Sequence, residues 1–242
     1  MKINLKKLTI EIVTLIAFSL VVPFILYMDV MVLRTDIGEI SLTELTQETL
    51  LLITAVIFIV GAYKRPAERG FLILTSGAFT CLLTRELDFL FDMVWHGFWL
   101  YPALLTSFLA TWYALAKRET ILPGLLYCVE NQAHIYGIIG LIIVLVFSRI
   151  FGSGSLLWNH ILGANSTHLL KTAVQEGLEL YGYLFITYGA FRLLLIPTSY
   201  QNATEIAGPE ETWARDWGFK PITVITKSSH GAGCANKYDN LI

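Results

Sequence analysis

Charge is scarce in this sequence. Of its 242 residues, 17 are Lys or Arg and 19 are Asp or Glu, 15% in all, while 55% are hydrophobic. An ordinary soluble domain carries about 25% charged residues. With a mean hydropathy of +0.61, that deficit excludes a disordered chain, a nucleic-acid binder built on a basic face, and a soluble domain whose surface must stay wet. Cysteine is equally sparse. Cys81, Cys128 and Cys234 fall in a span, an inner loop and the tail, so the chain has neither a disulfide framework nor paired zinc-ligand spacing. Strand-like alternation of barrel length does not recur, and nothing indicates a β-barrel.

Several chemical signatures are also missing: HExxH, the Glu-x-x-His pair of di-iron bundles, the GxSxG elbow and the P-loop. The histidine that follows Asp92 comes four residues later, at His96, which is the wrong spacing for a di-iron pair.

What the sequence does have is long apolar runs. A helix needs about 20 mostly apolar residues to cross a hydrocarbon core of roughly 30 Å. Six stretches qualify, at residues 8–33, 46–63, 69–95, 98–116, 134–151 and 169–196. They predict an all-α polytopic membrane bundle of about six spans over residues 1–196, followed by a polar tail at 197–242, packed locally or mobile. The opening MKINLKK resembles a signal-peptide n-region. The apolar run behind it is too long, holds Glu11 and Pro23, and lacks a small-residue cleavage site, so it reads as the first span.

The basic residues orient this bundle, because short cytoplasmic loops carry the Lys/Arg excess. With the N-terminus inside, 13 of the 17 basic residues fall on one side. Both termini are therefore expected in the cytoplasm, in an inner or plasma membrane. The loops at 117–133 and 152–168 are long enough to lie along the interface, with Trp158 as an anchor.

The third span carries charge where apolar residues are expected. Arg85, Glu86, Asp88, Asp92 and His96 stand in its outward half, and at 100° per residue all but Glu86 share an arc of about 80°. The sixth span answers with Glu176, Glu179, Tyr183 and Thr187 on one face. At 1.5 Å per residue, Glu86 lies about 15 Å below His96, and Glu176 and Glu179 lie roughly 10–15 Å below the start of their span. The two groups can therefore meet at one level. Each ionisable group at a helix centre costs about 2.5–3.5 kcal/mol on insertion scales. Six of them unpaired would rival the whole stability of a domain, about 5–15 kcal/mol. Arg85 against five carboxylates leaves an acid excess that a cation would relieve.

Gln175-Glu176-Gly177-Leu178-Glu179 resembles the Arg-Glu-x-x-Glu signature of iron permeases, which occurs on two helices of opposite orientation, three spans apart. Arg85-Glu86-Leu87-Asp88 begins in the same way. The sequence departs from that pattern at Gln175, where the family has arginine, and at Phe89, where the second glutamate belongs. The resemblance implies a cation site in a 3+3 inverted arrangement.

The expectation is a membrane protein that binds, and moves, a proton or a hard divalent metal at Glu86, Asp88, Asp92, His96, Glu176 and Glu179, with Arg85 as counter-charge. His160 and His168 in the outer loop are further candidate ligands. Such oxygen and imidazole donors suit iron, manganese or zinc. A membrane-embedded metal-dependent enzyme and an accessory subunit of a membrane complex are the alternatives. The partners expected are the lipid bilayer, a cation, and a second copy or a membrane subunit, with no nucleic acid. A satisfied hydrogen-bond network that only fixes packing is the structural alternative for the same residues.

Overall fold

The computed structural model describes residues 5–34, 41–153, 158 and 168–195, without the side chains of Lys7, His168 and Leu195. The tail at 197–242, and with it Cys234, lies outside the described residues, as does His160. The described residues are mostly helical, joined by short turns, and form no strand.

The first helix, α1 (Leu5–Tyr27), contains Pro23 and relaxes into a wider π-helical turn at Met28–Leu33. Helix α2 (Leu42–Lys64) begins earlier than the apolar run because Ser41 caps it, accepting the Glu44 amide at 3.1 Å. Asp29 completes this cap. It is fully buried, and its carboxylate accepts the amides of Leu42 at 2.8 Å and Thr43 at 2.7 Å.

Helix α3 (Arg69–Glu86) stops short of the expected 69–95. The backbone leaves helical geometry at Leu87 (φ −83°, ψ 17°), and a five-residue helix, α4 (Asp88–Asp92), follows before a turn. Helix α5 (Leu100–Ala116) is apolar throughout. The inner loop at 117–133 holds a short helix, α6 (Ile121–Glu130), with Pro123 in its first turn, where a missing amide proton costs nothing. The fifth apolar run is a continuous helical rod made of α7 (His134–Ile142), a π-helical stretch at Ile143–Phe147 and α8 (Ser148–Gly152). The last described helix is α9 (His168–Leu195).

Three of these segments, Leu8–Leu33, Leu42–Lys64 and His134–Gly152, are long and apolar enough to cross a membrane, and Leu100–Ala116 is a shorter apolar helix. Large apolar side chains stay exposed along α1 and α5, among them Ile16, Leu20, Leu105 and Phe108. Such a surface suits hydrocarbon and would aggregate in water.

Packing runs in the order α5, α3, α2, α9, α7, with α1 lying against α9. Leu51, Ala55 and Phe58 of α2 meet Tyr183, Ile186 and Ala190 of α9 in one buried cluster. Close crossings depend on small residues. A Cβ on Gly77 would sit 2.4 Å from the Ala110 Cβ, and one on Gly140 would sit 2.5 Å from the Gly182 carbonyl oxygen. Van der Waals contact drives helix association in lipid, so backbones that approach this closely gain most.

Candidate functional site

Helix α9 carries Glu176, Glu179, Tyr183 and Thr187 at intervals of three and four residues, which places them in one column along its face. Each acid meets a partner from a different helix. Glu179, only 3% exposed, lies 3.2 Å from Arg149 Nη2 of α8, and Gln175 Nε2 donates to the same carboxylate oxygen at 3.4 Å. Glu176 accepts Gln47 Nε2 of α2 at 3.1 Å, and the same nitrogen donates to the Glu176 main-chain oxygen at 3.0 Å. Gln47 is fully buried, and its own Oε1 has no hydrogen-bond partner among the described residues.

Helix α2 stands between α3 and α9, yet the two are joined through Tyr183. Its buried hydroxyl donates to Glu86 Oε1 at 2.8 Å. Arg85 Nη1 is 3.7 Å from that same oxygen, and its side chain is 42% exposed. Glu86, Glu176 and Glu179 are close enough for each to feel another's charge. Three acids therefore gather where α2, α3, α8 and α9 meet, with the guanidiniums of Arg149 and Arg85 at the edge.

The break at Leu87 divides the expected set. Asp88 is exposed on α4. Asp92 is occupied locally, accepting the Gly97 amide at 2.8 Å and facing His96 Nδ1 at 2.8 Å. Gly97 has φ +84°, a conformation that glycine adopts without strain. The Gly97 amide, followed by the His96 ring, holds the Asp92 carboxyl below the ordinary aspartate range. The His96 side chain is 99% exposed, so this pair lies at the surface. Asp92 and His96 thus build the turn beyond α3 and do not join the buried acids. Among the described residues, no three His, Cys, Asp or Glu side chains converge closely enough to hold a metal ion.

Three members of the site go beyond the candidates drawn from the sequence. Arg149 stands at the edge of its own span, and charge counting along single helices leaves it unpaired. Gln47 belongs to the shortest predicted span. Tyr183 was expected on the α9 face, without a role. The signal available for all three was a polar group in an otherwise apolar run. Their partners depend on helix order and rotation. No protein-family model, curated protein or solved structure matches this chain, so the likeness to iron permeases rests on the two short Glu-containing stretches alone.

Proposed function

We propose that this chain is a multi-pass protein of the inner or plasma membrane, with six spans and both termini in the cytoplasm, and that Glu86, Glu176 and Glu179 together bind and pass on a proton. Helices α3, α5 and α9 serve as the remaining spans. At 1.5 Å per residue they extend about 27, 25 and 42 Å, enough to cross or nearly cross the hydrocarbon.

One observation carries the reading. Three carboxylates lie together inside the bundle, and among the described residues two guanidiniums pair with them, Arg149 with Glu179 at 3.2 Å and the half-exposed Arg85 with Glu86 at 3.7 Å. Counted against both guanidiniums, one carboxylate remains in excess, and one bound proton neutralises it. Intramembrane acids of this kind mark ion and proton pathways. Tyr183 links two of the helices involved, and its hydroxyl is a donor that also accepts, as a relay requires. A proton fits this arrangement better than iron, manganese or zinc, because the acids are each tied to a separate partner and do not converge on one point. Asp88, Asp92, His96, His160 and His168 have no part in this reading.

The test is proton flux into liposomes containing the purified protein, driven by a membrane potential and read with an entrapped pH dye. Replacing Glu179→Gln or Glu176→Gln is expected to lower the flux by at least about tenfold, the scale of losing one positioned proton-transfer group. Asp92→Asn is expected to leave it unchanged. Wild-type flux no greater than that of empty liposomes overturns the reading and returns the accessory-subunit alternative. Uptake of manganese or zinc lost in the same glutamate variants restores the divalent-metal alternative.

A further inference from the structure

Away from the buried acids, a groove of about 590 Å³ lies between α1, α2 and α9. Small-molecule sites span about 300–1,000 Å³, so it is large enough to hold a ligand. Its walls include Ile10, Phe18, Ile53, Ile57 and Phe191. Ile10, Ile53 and Phe191 are exposed, so the groove opens on the side of the bundle, where an acyl chain has access.

One end of the groove is polar. Arg192 Nη1 lies 2.6 Å from Glu11 Oε1 and donates to the Tyr188 hydroxyl at 3.4 Å. The Tyr136 hydroxyl also donates to Glu11 Oε1. The guanidinium lies over the rings of Tyr136 and Tyr188, 5.8 Å from each centroid. These contacts engage Arg192 through Nη1 and Glu11 through Oε1. The groove therefore places a cation, an anion and an apolar slot side by side.

That combination selects its ligand by charge. A guanidinium matches a phosphate oxygen pair, a carboxylate matches an ammonium N–H, and the slot matches a hydrocarbon chain. We infer that this groove binds a phospholipid with a primary-ammonium headgroup, such as phosphatidylethanolamine. Its phosphate rests on Arg192, its ammonium on Glu11 and an acyl chain along Phe18 and Ile57. Arg192 stands near the end of α9 and Glu11 near the start of α1, the ends that the basic-residue asymmetry places inside, so the lipid belongs to the inner leaflet. Choline headgroups have no N–H for Glu11, and glycerol headgroups have no cation for it.

Lipid retention by the full-length protein, measured by native mass spectrometry, tests this assignment. The protein is titrated separately with dioleoyl phosphatidylethanolamine, phosphatidylcholine and phosphatidylglycerol. Wild type is expected to retain phosphatidylethanolamine about tenfold better than either of the others, the equivalent of one charge-assisted hydrogen bond. Glu11→Gln is expected to abolish the preference over phosphatidylcholine. Ile57→Trp, which fills the slot without touching the ion pair, is expected to lower retention in a chain that folds normally. Equal retention of the three lipids by wild type, a preference for phosphatidylglycerol, a preference over phosphatidylcholine that survives Glu11→Gln, or undiminished retention in Ile57→Trp overturns the assignment. None of these outcomes depends on proton flux.

Discussion

Asp29 and Glu179 are both buried acids, and their surroundings give them different work. Asp29 accepts two amides and the Thr43 hydroxyl at the start of α2, so its charge is spent on a helix end that would otherwise expose bare donors. Replacing Asp29→Ala is expected to cost about 2–3 kcal/mol, the value of a charge-assisted cap, read as a lower unfolding temperature in detergent. An unchanged midpoint would show that the cap is dispensable. Asp92 makes a prediction in pH. Its carboxyl is held below the ordinary range by the Gly97 amide and His96. The contribution is therefore complete above the pKa of an unfolded aspartate, about 3.9, and is lost as pH falls through the lower folded value. The acid-limb shift of the Gly97 amide resonance, the one that follows the Asp92 carboxyl, should accordingly be centred below the unfolded pKa. A shift centred at the ordinary aspartate pKa would contradict the bond.

At the scale of elements, the site depends on two features of helix geometry. The stop at Leu87 separates Glu86, which faces the bundle, from Asp88 and Asp92, which do not. A single 3.6-residue period carried through that stop aligns residues that the chain sends elsewhere. The second feature is the crossing of α7 and α9. A Cβ on Gly182 would lie 2.4 Å from Val144 Cγ2 and 2.9 Å from the Gly140 oxygen. Gly182→Leu is expected to destabilise the protein by about 1–3 kcal/mol through overpacking. It should also pull Arg149 away from Glu179, because the same helical rod carries Val144 and Arg149. Thermal unfolding of Gly182→Leu with and without Val144→Ala checks this, with partial recovery expected in the double variant. Full stability of the single variant would place the helices further apart than described.

For the whole molecule, the proposed orientation assigns each loop to a side of the membrane. Lys117→Cys is expected to react with an impermeant thiol reagent only from the cytoplasmic face, and Trp158→Cys only from the opposite face, in a background lacking the natural cysteines. Labelling of both from one side would remove the six-span arrangement. What the amino-acid sequence determined by itself is the helical class and the apolar exterior. Hydrocarbon satisfies no backbone group, so long apolar runs must close their hydrogen bonds internally, and run length alone reveals them. The sequence also marked Glu86, Glu176 and Glu179, because an ionisable residue in such a run is conspicuous wherever it points. Only the tertiary structure decided their company: Arg149 on Glu179, Gln47 on Glu176 and Tyr183 on Glu86, and the separation of Asp88, Asp92 and His96 from them. Those pairings depend on which helices touch and how each is rotated, which small residues such as Gly140 and Gly182 permit through close backbone approach. Periodicity along one helix carries no record of its neighbour.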